Sequence, residues 1–246
     1  MNPFAERLRF IGGIFMNAEI IRINENTYRI ENGFVRFFLL EGSERALLID
    51  TGASCPDAKE IAENITSLPI KLINTHGDGD HTSGNAAFDE FIISREDYEN
   101  CRLKEKFPSA APVFANDGDV IDLGGRKIEI VYIPGHTKGS IALLDVENRV
   151  LYSGDSVQNG NIYMFGAHRD TSAFKSSLEK LESMTDRFDF IYPCHGSPVL
   201  GSEYVGIVRK AWENVISGNI VPCEESLHGF VINCYHADGC GFYMSK

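Results

Sequence analysis

Short apolar runs recur along the chain, with helical patterns between them. ALLID at 46–50, KLIN at 71–74, EFII at 90–93, KIEIVYI at 127–133, SIALLD at 140–145, RVLYS at 149–153 and FDFIYP at 188–193 are continuous or alternating apolar segments that read as strands. Ahead of them, residues 19–40 hold Asn32-Gly33, a dipeptide suited to a tight hairpin, and predict a meander of two or three strands. Helical periodicity fits 57–67, 95–104, 171–185 and 202–217. In the third of these, Phe174, Leu178 and Leu181 fall on one face, Thr171 or Ser172 stands where a cap is needed, and Gly218 follows the fourth. Strands alternating with helices predict an α/β fold. No linker-like composition interrupts the pattern, so one domain over 1–246 is expected, with 1–18 as an N-terminal extension and 220–246 as a C-terminal flap or tail.

Composition narrows the class. At 43% hydrophobic and 24% charged residues over 246 positions, usage is that of an ordinary globular protein, which excludes a disordered or collagen-like chain. No apolar run approaches the ~18 residues of a membrane span. The first twenty residues lack a cleavage pattern, so no secretory signal is read. The 23 Lys and Arg against 35 Asp and Glu give a net charge of −12, a field that repels polyanions. Nucleic acid and membrane are therefore not expected partners; a small molecule is. Six cysteines are scattered without a Cys-x-x-Cys pair, which with no export signal fits reduced thiols in the cytoplasm.

Chemistry concentrates in Asn74-Thr75-His76-Gly77-Asp78-Gly79-Asp80-His81, directly after an apolar strand. Gly77 and Gly79 offer backbone freedom that turns a short loop's ligands inward. Alone, such a stretch reads as a solvated polar turn. Three further positions change that reading: His136 in Pro134-Gly135-His136-Thr137, Asp155 in Ser153-Gly154-Asp155, and His195 in Pro193-Cys194-His195-Gly196. Each follows an apolar strand beside glycine or proline.

With Ile49-Asp50-Thr51-Gly52, these segments run in the order of the loop signatures of the metallo-β-lactamase fold superfamily, which the chain resembles over roughly 20–200. The resemblance implies an αββα four-layer sandwich of two mixed β-sheets flanked by helices, with a dinuclear metal centre at one sheet edge. Carried over position by position, it implies His76, Asp78 and His136 on one ion and Asp80, His81 and His195 on the other. Asp155 would bridge them, and Asp50 would orient the loop without binding metal.

Asp78 departs from the pattern, since most hydrolases of this superfamily carry His there. Three carboxylates against two divalent ions weaken their Lewis acidity, and a hard oxygen ligand moves preference from zinc towards iron or manganese. Two divalent ions are expected, zinc first, with iron or manganese open. The expected reaction is hydrolysis of an ester, lactone, thioester or phosphoester of a small molecule by a metal-bridged hydroxide, with Asp80 orienting water or accepting its proton. The alternative, prompted by Asp78, is a diiron redox enzyme resembling oxygen or nitric oxide reductases, or an oxygenase. Tyr163 and Arg169 are candidate substrate contacts. Weak or no turnover of glutathione thioesters is expected, because the acidic, Cys-rich tail lacks the basic residues that would hold glutathione. For that tail, an apolar flap packed on the domain or on a partner copy, as in a homodimer, is favoured over a second zinc site on Cys234, His236 and Cys240.

Overall fold

An eight-stranded mixed sheet organises the first part of the chain, in the order β1 to β8. Its antiparallel half is β1 (Glu6–Leu8), β2 (Glu19–Asn24), β3 (Thr27–Asn32), β4 (Val35–Glu41) and β5 (Ala46–Ile49). Its parallel half follows through α1 (Ala58–Ile65), β6 (Ile70–Ile73), α2 (Gly79–Thr82), β7 (Glu90–Ser94), α3 (Arg95–Asn100), α4 (Leu103–Lys106) and β8 (Ala111–Ala115). The computed structural model describes residues 6–8, 18–227 and 229–246. Most of the proposed N-terminal extension, and His228 of the tail, lie outside the described residues. Two units, Met1–Glu129 and Ile130–Lys246, divide the chain.

In the first unit, α1 turns Ala58, Ile61 and Ala62 onto a core with Ile30, Phe37, Leu48, Leu72 and Phe91. Full burial of each large apolar side chain contributes about 1.5–3 kcal/mol. Two sequence expectations shift. The hairpin turn sits one residue later than Asn32-Gly33: Asn32 pairs with Val35, and Gly33 takes the first central position at φ 69°. The helix expected over 95–104 breaks in two, because Arg102 adopts a left-handed conformation at φ 55° between α3 and α4.

The chain passes from the first unit to the second within β10 (Lys127–Tyr132), whose first half pairs antiparallel with β9 (Val120–Asp122). The second unit continues with β11 (Ile141–Asp145), β12 (Val150–Gly154), β13 (Asn161–Met164), α5 (Thr171–Glu182), β14 (Phe190–Pro193), β15 (Leu200–Gly201) and α6 (Tyr204–Ile216). Here β14 and β12 pair parallel, and β11 and β15 flank them antiparallel. The tail forms β16 (Cys223–Leu227), β17 (Phe230–His236) and β18 (Gly241–Ser245), joined to β13 as a third sheet in the order β13-β18-β17-β16. Phe174, Leu178 and Leu181 of α5 and Trp212 of α6 are buried, as their spacing predicts. Phe242 of the tail joins them, its ring 5.2 Å from Trp212 and 6.3 Å from Phe174. The N-cap of α5 is Asp170, not Thr171 or Ser172: its carboxylate accepts from Ala173 N–H at 3.0 Å. No described helix is long and apolar enough to cross a membrane.

Candidate functional site

Each unit sends metal-capable residues off the ends of neighbouring parallel strands, and His136 follows β10. In the first, Ile49 and Ile73 are register partners at the ends of β5 and β6, so Asp50 and Thr75-His76 emerge side by side. In the second, Gly154 and Pro193 pair at the ends of β12 and β14, and Asp155 and Cys194-His195 follow them. Parallel pairing makes each chain segment leave the sheet at the same edge, where open loops can present ligands.

Asp50 organises the first group. Its backbone is held at φ 64°, an unusual conformation for a residue with a side chain. Its Oδ1 accepts from Thr75 N–H at 2.8 Å, and its Oδ2 accepts from the Thr75 hydroxyl at 2.8 Å. His81 Nδ1 lies 2.9 Å from the same Oδ2, and an ionised carboxylate accepts only, so Nδ1 carries the proton. The Thr75 hydroxyl has one proton and gives it to Asp50. His76 Nδ1, 3.0 Å from that hydroxyl oxygen, must then donate. Both rings therefore keep the Nε2 lone pair for a ligand. They stand 4.0 Å apart between centroids, and each Nε2 lies 3.7 Å from an aspartate oxygen, Asp78 Oδ2 for His76 and Asp80 Oδ2 for His81.

The loop turns its ligands inward without using the backbone freedom expected of its glycines. Gly79–Thr82 is a helical turn, with Asp78 at its N-cap. Neither Gly77 nor Gly79 has a positive φ. Gly77 is needed for close approach: a Cβ there would meet Cys101 Sγ at 2.6 Å, whereas one at Gly79 meets nothing within 4 Å. Asp97 Oδ2 accepts from Gly77 N–H at 2.8 Å, and Asn74 donates to the His81 carbonyl at 2.9 Å. The Thr51 hydroxyl accepts from Gly84 N–H and donates to Asn85 Oδ1, and the Gly52 carbonyl accepts from the Ser83 hydroxyl, so Asp50, Thr51 and Gly52 together hold the loop.

In the second unit Asp155 Oδ2 lies 3.6 Å from His136 Nε2 and 3.2 Å from His195 Nε2. His136 Nδ1 is 3.0 Å from the Tyr163 carbonyl, an obligate acceptor, so Nδ1 donates and Nε2 again keeps its lone pair. Tyr163 thus touches the site through its backbone, and its ring packs 5.1 Å from Tyr243. Arg169 is half-buried just before Asp170. Burial pushes the Cys55 and Cys240 thiols up to about 12, so neither supplies a thiolate nucleophile.

These donors fit a divalent metal. Two ligands about 2.0–2.2 Å from one tetrahedral ion stand about 3.3–3.6 Å apart, close to the nitrogen–oxygen separations of 3.2–3.7 Å within each unit. Oxygen partners on Nδ1 of His76, His81 and His136 fix the tautomer that coordinates through Nε2. Sequence reasoning named the ligand candidates and Asp50 but missed Thr75 and Asp97; a hydroxyl or carboxylate that binds backbone or another side chain leaves no periodic signal.

A family model described as the metallo-beta-lactamase superfamily matches residues 31–195. An acyl-coenzyme A thioesterase, MBLAC2, of Homo sapiens is 26% identical over 207 residues, covering 68% of this chain and 74% of that protein. A hydroxyacylglutathione hydrolase of Nostoc punctiforme is 28% identical over 155 residues, covering 61% of this chain and 60% of that one. Among solved structures, the metallo-beta-lactamase FIM-1 of Pseudomonas aeruginosa, in a mono-zinc form, superposes with a TM-score of 0.67 at 18% identity, covering 81% of this chain and 96% of that one.

Proposed function

The chain belongs to the metallo-beta-lactamase superfamily, and from that premise we propose that it is a metal-dependent hydrolase of small acyl substrates, thioesters first. The observation that carries the reading is the set of Nδ1 hydrogen bonds that keeps Nε2 of His76, His81 and His136 available beside carboxylate oxygens. His76, Asp78, Asp80, His81, His136, Asp155 and His195 would hold two divalent ions, zinc foremost, with Asp50 fixing the His81 ring and, through Thr75, the His76 ring. When bound, such ions acidify a water and polarise an acyl oxygen.

The chain's own groups supply the rest. Asp80, the more exposed of the loop's two aspartates at 29% against 21% for Asp78, accepts the proton of the attacking water on its carboxylate and returns it to the leaving group. The Asp50 carboxylate keeps the His81 ring in one orientation throughout, and the Tyr163 carbonyl does the same for His136. Thioesters are placed ahead of esters, lactones and phosphoesters because the matched relatives are named as a coenzyme A thioesterase and a hydroxyacylglutathione hydrolase, and robust turnover of a glutathione thioester would overturn the weak turnover expected from the acidic tail.

The test is element analysis of protein purified without added metal, then a thioester, ester, lactone and phosphodiester panel with the ion found. The expected result is zinc with thioester turnover, and loss of both metal and turnover in His81→Ala and Asp155→Ala. Metal content unchanged in those variants would overturn the ligand assignment. Iron with a near-ultraviolet oxo-bridge band would replace the hydrolase with the redox reading that Asp78 prompts.

A further inference from the structure

The tail sheet carries metal-capable side chains that the proposed hydrolase does not use. Strands β16 and β17 pair antiparallel with Cys223 directly opposite Cys234. Glu225 lies two residues along β16 and His236 two residues along β17, so period-two alternation puts both on the face of those cysteines. The side chains converge. His236 Nε2 is 3.5 Å from Cys223 Sγ and 3.4 Å from Cys234 Sγ. Glu225 Oε1 is 3.9 Å from Cys223 Sγ and 3.8 Å from His236 Nε2. All the donor atoms lie within 4.8 Å of one another, and the two cysteines are not joined as a disulfide.

We propose that Cys223, Glu225, Cys234 and His236 form a structural zinc site that clamps the tail hairpin. Two sulfurs, an imidazole and a carboxylate make a soft-to-borderline donor set that suits zinc over magnesium, calcium or manganese. Four protein donors close a tetrahedron and leave no position for a reacting water, which makes the site structural. Donors about 2.0–2.3 Å from a common tetrahedral ion stand about 3.3–3.8 Å apart, close to the 3.4–3.9 Å separations of four of the pairs, with every pair within 4.8 Å. The sequence hides the site because its ligands come as Cys-x-Glu and Cys-x-His, and the strand register supplies what a Cys-x-x-Cys loop supplies elsewhere. It differs from the Cys234, His236 and Cys240 set that the sequence disfavours against an apolar flap, since Cys223 and Glu225 stand in place of Cys240.

The sheet has a use for such a clamp. β16 is its edge strand, and each of its residues is exposed or half-buried, so little apolar burial holds it to β17. A bound ion would tie edge to centre and add binding free energy to folding. The opposite edge of that sheet is β13, which carries the Tyr163 carbonyl that orients His136.

The test is cobalt substitution of the full, chelator-stripped chain. A near-ultraviolet thiolate-to-cobalt band is expected, because the ligands proposed for the hydrolase contain no sulfur. Cys223→Ser with Cys234→Ser should abolish the band and remove about one zinc equivalent, leaving the remaining metal in place. His236→Ala, which removes a side chain that is 68% exposed, should weaken zinc binding at the tail by about tenfold or more and shrink the band. A parent chain that takes up cobalt without the band, a band that survives in the double variant, or Cys223 and Cys234 recovered as a metal-free disulfide would each overturn the site.

Discussion

Thr75 shows how much a single hydroxyl settles. By donating to Asp50 it forces His76 Nδ1 to donate in turn, so the ring's remaining nitrogen is left for a ligand. Residue chemistry of this kind is legible once the partners are known and invisible before. The two glycines beside it make the same point with a measurable difference. Gly77→Ala drives a Cβ into Cys101 and should destabilise by about 1–3 kcal/mol while lowering metal content, because the strain falls on the segment between His76 and Asp78. Gly79→Ala begins a helical turn in open space and should leave stability unchanged or raise it by up to about 1 kcal/mol. Denaturant unfolding with element analysis of both variants checks the contrast; equal effects would refute it.

At the scale of elements, the strands and helices that hydrophobic spacing predicts form close to their expected ends, apart from the break at Arg102, while β8, β9, β13, β15 and the tail strands β16 to β18 are not among them. The ends themselves were decided by hydrogen bonds. For α5 the periodicity pointed to Thr171 or Ser172 as cap, yet Asp170 accepts from both the Ser172 hydroxyl at 2.6 Å and Ala173 N–H at 3.0 Å. The Ser172 hydroxyl foremost, then the backbone N–H groups, hold the Asp170 carboxyl below the usual carboxylate range. A depressed folded pKa stabilises above the unfolded value of about 3.9, and that stability is lost as pH falls towards the lower folded value. Asp170→Ala should therefore cost about 1 kcal/mol at pH 7, and the gap from the parent should close as pH drops below about 4. Urea titrations of both chains between pH 7 and 3 measure it, and a gap independent of pH would show that the charge is not what caps the helix.

At the scale of the whole molecule, each unit has its own buried core, and the second draws on the end of the chain to complete it. Phe242 is fully buried against Phe174 and Trp212. Phe242→Ala should cost about 3–5 kcal/mol in denaturant unfolding, and a loss under about 1 kcal/mol would mean that the tail is not part of that core. The sequence favours a flap for the tail because Cys234, His236 and Cys240 lack the spacing of a common zinc motif. Its strands become visible through pairing with β13, whose partner β18 lies far along the chain.

The sequence by itself determined the alternation of strands and helices, the order of the loop signatures, and the identities of the metal-capable residues, since these depend on local spacing and on side-chain chemistry. Only the tertiary structure decided which nitrogen of His76, His81 and His136 is held, that Gly77 serves close packing, that Asp170 rather than its neighbours caps α5, and that Cys223 and Glu225 meet Cys234 and His236. Apart from the Asp170 cap, which is a choice among three neighbouring polar residues, each of those rests on a hydrogen bond, a contact or a strand register between positions distant along the chain, so no window of residues read on its own contains it.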